Sequence, residues 1–305
     1  MIAVVGSNTV DYFTSIKRLP NPGETMYGED MLISSGGKGA NQAAAAAKLG
    51  ADVKYLSTVG GKDRYVDLIL DGLKSAGVDV SGVESVPGIY CGAGYVMINT
   101  ETANNSIIIM KGANAHITPE YVERHRDVII NAKICMVEYM IPVDTAEYVT
   151  HLAKKHGVIT MVNPAPAAPT GDAFYRDMDF VTPNEVEAKD LTGIEVTDEK
   201  TAAQAAAFFH GKGVRNVVLT LGKRGAFVSD GVRSEMIGAY RVNAIDTSGA
   251  GDAFNGGLAY GLENGRDLFD AARFANAVAA VSVTRRGTMA SMPELADAVA
   301  QYESR

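Results

Sequence analysis

The sequence is organised around residues 246–257, which read DTSGAGDAFNGG. This segment follows the strand-like residues 240–245 and opens a helical run at 251–262. Because glycine permits turns that other residues resist, backbone N–H groups here can converge on an anion at the positive end of the helix. Asp252 lies in the first helical turn, where it is either a chemically active carboxylate or a plain N-terminal capping residue.

A second glycine-rich segment, SGGKGANQ at residues 35–42, leads into an alanine-rich helix predicted over residues 40–49. Its three glycines permit close approach of the backbone to a ligand, and the Asn41 amide can both donate and accept hydrogen bonds. Neither segment is a GxxxxGK[ST] loop or a GxGxxG fingerprint. Those two nucleotide-binding motifs are therefore absent from these turns.

Short apolar runs alternate with helical patterns along most of the chain. We predict strands at residues 2–5, 53–58, 134–137, 158–162, 180–182 and 217–220. We predict helices at residues 40–49, 65–76, 119–131, 145–156, 201–212, 251–262, 268–284 and from 293. This alternation predicts an α/β fold with a mostly parallel central sheet, helices on both faces and ligands at the carboxyl ends of the strands.

Two segments interrupt the alternation. Residues 11–35 carry a Pro-Asn-Pro-Gly turn, and residues 91–110 resemble a hairpin with strands at 94–99 and 106–110 and a turn at 100–105. We predict that 11–35 and 91–110 form a small β lid over a cleft, while 1–10, 36–90 and 111–305 form the α/β domain. The alternative is a pair of ordinary surface hairpins.

Composition limits the classes of partner. The chain has 305 residues, 28 Lys and Arg against 36 Asp and Glu, a net charge of −8 and no Trp. It lacks the broad basic field that nucleic acid or an anionic membrane requires, so we expect neither as a partner. Cys91 and Cys135 lie in apolar runs with no disulfide framework, the first residues carry no basic n-region, and no apolar run spans a membrane. We expect a cytoplasmic protein.

Several polar residues lie near predicted strand ends. Asp11 is a candidate site carboxylate or a turn residue, and Glu138 closes an apolar run where a buried carboxylate needs a partner. Asn184 and Glu187 are spaced to share a helix face, where they could hold hydrated Mg²⁺ or simply face solvent. The tight turn at residues 220–225 could approach a nucleotide, and the five histidines show no metal-ligand spacing.

Together these segments resemble the ribokinase-like (PfkB-type) carbohydrate kinase family over nearly the whole chain. The residues that carry the resemblance are GS…D at 6–11, GGKGANQ at 36–42, GANA at 112–115, NPAPA at 163–167, TPNE with Glu187 at 182–187, TLG at 220–222 and DTSGAGD at 246–252. The resemblance implies a three-layer α/β/α fold with a β lid. It also implies ATP-dependent phosphorylation of the primary hydroxyl of a small sugar, with Mg²⁺.

The resemblance further implies a role for each matching residue. Asp252 would be the catalytic base, and the N–H groups of Gly249, Ala250 and Gly251 would form the anion hole. Asp11, Gly37, Lys38, Asn41 and Glu138 would bind the sugar together with Asp252. Asn184, Thr220, Gly222, Gly225, Gly251 and Asn276 would line the nucleotide site, while Asn184 and Glu187 would organise Mg²⁺ indirectly. Asp246, Ser248, Ser282, Arg285, Gly287 and Ser291 would hold a monovalent cation such as K⁺, mostly through carbonyl groups.

The chain departs from the family pattern where the sugar would bind. Thr9 stands where the family usually has Asn, and Thr has one donor fewer. The hairpin sequence CGAGY at residues 91–95 is unusual, and we expect Met97 and Met110 to face the sugar. D-ribose is the first candidate substrate, 2-deoxyribose the second, and another pentose, a hexose or a nucleoside the third. The scarcity of aromatic residues argues against a nucleoside.

Two other function classes remain open from the sequence. A non-catalytic sugar-sensing protein would share this scaffold, but the intact loop at residues 249–252 disfavours it. A nucleotide-dependent oxidoreductase lacks its glycine fingerprint. If the lid strands leave open edges, a second copy of the chain would shield them, so we expect a homodimer through the lid.

Overall fold

In the computed structural model, which describes residues 1–102 and 105–304, the strands form two separate sheets. The strands are β1 (Ile2–Val5), β2 (Thr9–Ile16), β3 (Asp30–Gly36), β4 (Val53–Gly60), β5 (Asp79–Val86), β6 (Gly92–Asn99), β7 (Asn105–Met110), β8 (Ile134–Glu138), β9 (Ile159–Asn163), β10 (Phe180–Val181), β11 (Asn216–Thr220), β12 (Ala226–Ser229) and β13 (Ser234–Ile237).

Helices connect most of these strands. They are α1 (Lys38–Lys48), α2 (Val66–Ser75), α3 (Pro119–Arg124), α4 (Arg126–Ile130), α5 (Val143–Lys155), α6 (Asp172–Arg176), α7 (Glu185–Thr192), α8 (Glu199–Lys212), α9 (Ala250–Glu263), α10 (Leu268–Ser282) and α11 (Leu295–Glu303). Within the described part of the chain, no helix is long and apolar enough to cross a membrane.

The larger sheet has nine strands in the order β13-β12-β11-β10-β9-β8-β1-β4-β5. In this spatial order the seven strands β11, β10, β9, β8, β1, β4 and β5 are parallel, and β12 and β13 add an antiparallel edge. The chain moves from β1 outward in both directions, and in open α/β sheets the crevice at such a point binds ligands. The predicted α/β class and its mostly parallel sheet are confirmed.

Alternate residues of the central strands build two cores on opposite faces of this sheet. In β1, Val5 belongs to a core that includes residues of α3 to α8, and its neighbour Val4 belongs to a core that includes residues of α1, α2, α9 and α10. Runs of apolar residues without polar alternation are what a strand covered on both faces requires. The result is the three-layer α/β/α arrangement that the resemblance implies.

The smaller sheet has the order β3-β2-β6-β7. Strand β2 is antiparallel to β3 and parallel to β6, and β6 is antiparallel to β7. Strand β2 begins at Thr9 and β3 ends at Gly36, so the sheet extends slightly beyond the segment 11–35 that was predicted for the lid. Part of the predicted turn at 100–105 lies outside the described residues.

Some sequence predictions were wrong in detail. Residues 240–245 form no strand, because Tyr240 and Val242 pack their side chains against α10 instead. The helix predicted over 119–131 is two helices joined at His125. Strands β5, β12 and β13 were missed, although the Asp-Gly pair at 230–231 is a hairpin signal between β12 and β13.

Helices α1 and α9 lie unusually close together. A Cβ atom built on Gly256 of α9 would fall 2.5 Å from the Cβ of Ala45 and 2.9 Å from the carbonyl oxygen of Gln42 in α1. Alanine at residues 43–46 of α1 provides the facing surface. Small residues on both helices therefore allow the two backbones to approach, which aligns the starts of α1 and α9 at the same edge of the sheet.

We predict that Gly256→Ala lowers the free energy of unfolding by about 1–3 kcal/mol, because the added methyl overfills this contact. Gly211→Ala is the matched control: Gly211 also lies in a helix, α8, but a Cβ there meets no atom within 4 Å. The control should leave stability unchanged or raise it by up to about 1 kcal/mol. Urea unfolding followed by circular dichroism measures both, and equal effects of the two substitutions would contradict the prediction.

Candidate active site

Two cavities meet at the start of α9. The larger has a volume of about 910 Å³ and the smaller about 530 Å³. Lys38, Thr247, Gly249 and Asp252 line both. A group held at this boundary can therefore contact a molecule in either cavity.

Asp252 occupies the boundary with its carboxylate fixed by two amides. Asn41 Nδ2 donates to Oδ2 at 2.9 Å, and Gln42 Nε2 donates to Oδ1 at 3.1 Å. Burial raises the pKa of Asp252, while the charge of Lys38 and the two amide hydrogen bonds lower it. The arrangement holds a carboxylate in one orientation, as a proton acceptor requires.

The loop before α9 offers N–H groups to the same place. Gly249 adopts a left-handed conformation with φ of 76°, and the first helical hydrogen bond runs from Ala253 N to Gly249 O at 2.8 Å. The N–H groups ahead of Ala253 therefore have no acceptor within the helix. That of Ala250 makes only a long bond, 3.3 Å, to the Thr247 carbonyl. Converging N–H groups at a helix start form a site for an anion.

The predicted sugar-binding residues at the start of α1 line the smaller cavity. Gly37 has φ of 98°, and a Cβ there would lie 2.5 Å from the Cα of Asn8, so only glycine fits this turn. Asn41 is buried, and its Oδ1 accepts no hydrogen bond within the protein. Lys38 and Asn41 therefore both line the cavity, and the unpaired Asn41 Oδ1 is buried beneath its surface.

Asp11 is the third residue of β2, and so it is neither a turn residue nor at a strand end. A Cβ on Gly36 would lie 2.0 Å from Asp11 Oδ2, and one on Gly94 would lie 2.4 Å from Oδ1. The two glycines of β3 and β6 thus make room for this carboxylate in the small sheet. Burial raises the pKa of Asp11 to about 6, although the Thr9 hydroxyl, which donates to Oδ1 at 2.7 Å, opposes the shift.

Glu138 has structural partners, one of the two kinds of partner that the sequence left open for this carboxylate. It is fully buried and does not line either cavity. Its two oxygens accept from Ser7 N at 2.5 Å and from Met140 N at 2.6 Å, and burial raises its pKa. Glu138 ties the turn after β1 to the end of β8, one layer behind the cavity wall.

Apolar residues of the small sheet complete the wall of the smaller cavity. Phe13, Val96, Ile107 and Ile109 line it, and they share one face of the sheet. Met97 and Met110 do not line it, because strand alternation directs neighbouring side chains to opposite faces. The expectation that these two methionines face the ligand was wrong.

The residues predicted for the nucleotide line the larger cavity. They are Asn184, Thr220, Gly222, Gly225, Gly251 and Asn276. A β-bridge joins Asn184 to Thr220, and a Cβ on Gly225 would lie 2.0 Å from the carbonyl oxygen of Ile237. Close backbone contact between the turn at 220–225 and the end of β13 therefore shapes the floor of this cavity.

Asn184 and Glu187 lie together at the start of α7, as the N-cap and the third helical residue and not as two residues within the helix. Asn184 Oδ1 accepts from Glu187 N at 2.8 Å, and Glu187 Oε2 accepts from Asn184 N at 2.9 Å. Glu187 lines the larger cavity, and burial raises its pKa. Among the described residues no cluster of three or more His, Cys, Asp or Glu could hold a metal. A magnesium ion would fit here only with water and phosphate as its other ligands.

The residues predicted for a monovalent cation lie in two adjoining segments behind the anion-binding loop. Asp246 joins them, since its Oδ1 accepts from Ser248 N at 2.9 Å and its Oδ2 from Gly287 N at 3.0 Å. Ser291 is fully buried, and Ser282 and Arg285 belong to one turn closed by a 3.0 Å backbone hydrogen bond. The structure thus brings these residues together as a group.

Four polar residues beside Asp252 were not predicted as site residues. They are Gln42, Asn163, Thr182 and Asn255, all buried and mutually hydrogen-bonded. Gln42 lies within the quoted glycine-rich segment, directly after Asn41. Its position one residue from a predicted ligand was a signal, but only the packing of α1 on α9 directs it to Asp252.

Comparison with known proteins agrees with this geometry. The model of the pfkB family carbohydrate kinases matches residues 1–295. The ribokinase of Haemophilus influenzae is 38% identical over 292 residues, covering 96% of this chain and 95% of that protein. A deoxyribokinase of Salmonella typhimurium is 38% identical over 295 residues, covering 96% of each. The structure of Arabidopsis thaliana ribokinase complexed with ribose and ATP superposes with a TM-score of 0.93 at 31% identity, covering 100% of this chain and 99% of that one.

Proposed function

The chain belongs to the pfkB family of carbohydrate kinases, and from this premise we propose that it transfers the γ-phosphoryl group of ATP to the primary hydroxyl of a pentose, with D-ribose as the first candidate. The observation that carries the proposal is Asp252, held at the boundary of two cavities and at the start of a helix. One cavity then takes the acceptor and the other the nucleotide. Asp252 and the loop at 249–251 lie where the two substrates meet.

The smaller cavity suits a small polyhydroxyl compound. The Asp11 carboxylate can accept hydrogen bonds from hydroxyl groups, Lys38 can donate, and Asn41 lines the same cavity. The apolar side chains of β6 and β7 cover the opposite side, where the carbon skeleton would pack. Closure of the small sheet over this cavity would exclude water, which competes for the phosphoryl group.

The larger cavity suits ATP. Its glycine turns allow the backbone to approach a base and ribose, and its end at Gly249–Gly251 offers N–H groups to the terminal phosphate. Magnesium, when bound, would neutralise phosphate charge, with Glu187 and Asn184 holding its water shell. The related Arabidopsis ribokinase structure contains both ribose and ATP, which supports this division of the two cavities.

In the proposed reaction, Asp252 accepts the proton of the sugar hydroxyl while the hydroxyl oxygen attacks the γ-phosphorus in line with the leaving ADP. A carboxylate at a positive helix end is a weak base. Phosphoryl transfer tolerates a weak base, because its loose transition state depends more on alignment and charge stabilisation than on early deprotonation. The loop N–H groups supply that stabilisation at the transferring oxygens.

A monovalent cation beside the loop would reinforce it. Asp246 fixes the two segments that carry the predicted ligands, and the backbone at Thr288 packs against Gly249, with a Cβ on Gly249 3.4 Å from Thr288 Cα. A cation held there would add positive potential behind the anion-binding N–H groups. We therefore expect turnover to rise with K⁺ concentration.

2-Deoxyribose is the second candidate acceptor. The Thr9 hydroxyl has one hydrogen, and it donates that hydrogen to Asp11. Thr9 therefore has no donor left for a sugar hydroxyl, which weakens the selection for a fully hydroxylated pentose. The Salmonella deoxyribokinase, at 38% identity, fits the same expectation.

We predict that Asp252→Asn lowers kcat with ribose by about 10²–10⁴-fold, because the proton acceptor is lost, while the protein remains folded. Asp71→Asn, on the exposed face of α2, is the control and should retain full activity. A coupled ADP assay over ribose, 2-deoxyribose, fructose and adenosine, with and without K⁺, measures turnover and acceptor preference together. Near-normal turnover by the Asp252 variant, or no turnover with any sugar, would overturn the proposal.

We also predict that the KM for the sugar rises as the pH falls through about 6, the pKa of Asp11. Protonation removes the charge that attracts sugar hydroxyls, so KM at pH 5 should exceed that at pH 7 by roughly tenfold. Thr9→Val removes the hydrogen bond that opposes the shift and should move this midpoint upward, whereas Thr9→Ser should preserve it. A KM that stays constant over this range at saturating ATP would contradict the assignment of Asp11.

Finally, we propose a homodimer formed through the small sheet. Its edge strands β3 and β7 have one side unpaired, and Met31, Leu32 and Ile108 expose about half or more of their surface. A second copy would cover these edges. Light scattering should give about twice 32.2 kDa, and Leu32→Asp should give a monomer. Val232→Asp, at a fully exposed valine in the β12–β13 turn, should leave the mass unchanged; a monomeric wild type refutes the proposal.

A further inference from the structure

A continuous chain of buried polar side chains begins at the Asp252 carboxylate. Gln42 Nε2 donates one hydrogen to Asp252 Oδ1 and the other to Asn163 Oδ1, each at 3.1 Å. Gln42 is 1% exposed, and it is the sole described residue that touches both Asp252 and the end of β9 through one amide group. Both hydrogens of this amide nitrogen are therefore committed.

The chain continues along the strand ends and returns to α9. Asn163 Nδ2 donates to the Thr182 carbonyl at 3.0 Å, and Thr182 Oγ1 donates to Asn255 Oδ1 at 2.7 Å. Asn255 Nδ2 then donates to the Gly251 carbonyl at 2.8 Å. Since Gly251 precedes Asp252, the hydrogen bonds form a closed ring that contains the carboxylate and the last residue of the anion-binding loop.

The direction of donation around the ring is determined by its acceptors. The Thr182 backbone carbonyl only accepts, so Asn163 must present its nitrogen to Thr182 and its oxygen to Gln42. Gln42 must then present its NH₂ group to Asn163, and the second hydrogen of that group reaches Asp252. Donors at both carboxylate oxygens, Asn41 Nδ2 at Oδ2 and Gln42 Nε2 at Oδ1, stabilise the ionised form of Asp252. The ring therefore fits the ionised carboxylate and disfavours the protonated one.

We propose that Gln42 is a positioning residue for phosphoryl transfer, and that the ring through Asn163, Thr182 and Asn255 holds the Asp252 carboxylate and the anion-binding loop in one fixed arrangement. The proposal rests on the proposed role of Asp252 as base. Asn41 also touches Asp252, but unlike Gln42 it lines the smaller cavity. Gln42 itself lines neither cavity and connects the carboxylate to the end of β9, while Asn163, Thr182 and Asn255 also line the larger cavity.

Loss of the Gln42 donor should change the pKa of Asp252, which a loss of folding stability alone would not do. The charged groups that face Asp252 are Lys38 in α1, Asp11 in β2 and Glu187 in α7, and a substitution at Gln42 leaves all three in place. Without the Gln42 hydrogen bond the ionised form of Asp252 is less stable. The pKa of Asp252 should therefore rise, and the acidic limb of the pH profile of kcat should move upward with it.

The first experiment compares Gln42→Leu with wild type and with Gln204→Leu, the same change at an exposed position of α8. We expect Gln42→Leu to lower kcat about ten- to hundredfold, the equivalent of one hydrogen bond to a charged group, with little change in the KM for ATP. Titration of Asp252 by carboxyl ¹³C NMR, which needs no turnover, should show the raised pKa. An unchanged Asp252 titration in folded Gln42→Leu overturns the proposal whatever the activity.

The second experiment addresses the far side of the ring and does not depend on whether the Gln42 variant folds. Thr182→Val removes the hydroxyl that joins Asn255, and Thr182→Ser retains it. Thr150→Val is the matched control, since Thr150 is equally buried and its hydroxyl bonds a helical carbonyl in α5 at 2.8 Å. We expect kcat to fall severalfold in Thr182→Val, to recover in Thr182→Ser and to stay normal in Thr150→Val. Equal kcat in all three variants refutes the ring.

A double variant separates a shared ring from independent contacts. If Gln42 and Thr182 act on one arrangement, Gln42→Leu with Thr182→Val should lose less than the product of the two single losses. Fully multiplicative losses would overturn the inference that they act together. Should wild type lack kinase activity altogether, the proposed function fails, but the NMR titration of Asp252 in Gln42→Leu still decides whether Gln42 controls that carboxylate.

Discussion

The close approach of α1 to α9 is the contact on which the site depends. Gly256 and the alanines at 43–46 permit it, since a single methyl group on Gly256 would already collide with Ala45. The approach brings the starts of two helices, Lys38 and Ala250, which are 212 residues apart in sequence, to one place. Asn41 and Gln42 from α1 then reach the Asp252 carboxylate of α9 directly. Without small residues on both surfaces, the carboxylate would have neither its orientation nor its hydrogen-bond donors.

The same site balances opposing electrostatic effects on one carboxylate. Burial raises the pKa of Asp252, while Lys38 and two amide donors lower it. The strength of a base and its orientation are separate requirements, and this site favours orientation: both carboxylate oxygens are held, and the amides that hold them are themselves buried. Phosphoryl transfer is a reaction for which that compromise is suitable, because alignment and charge stabilisation contribute most of the rate.

Much of the fold followed from local patterns, and the exceptions have physical reasons. The buried runs at 2–5 and 134–137 are apolar throughout, so their strands were predictable. Tyr240 and Val242 show the same local pattern but pack on α10, and the local sequence does not reveal this tertiary contact. At the site, glycine turns and Asp252 were evident from composition and spacing. The sequence did not reveal the inward position of Glu138 or the ring through Thr182 and Asn255, because both depend on which strand ends lie beside one another.

The net charge of −8 poses a question for a protein proposed to bind ATP. Long-range attraction does not favour the nucleotide, so recognition must act at contact distance, where backbone N–H groups at a helix start are effective and carry no net charge. Glycine at 249 and 251 exposes those groups, and Lys38 adds one cation that lines both cavities. Glycine has a similar role in the small sheet, where Gly36 and Gly94 leave room for the Asp11 carboxylate that a side chain at either position would fill. In this chain, the glycines determine where charged groups can meet, and a few buried polar side chains then determine how they are oriented.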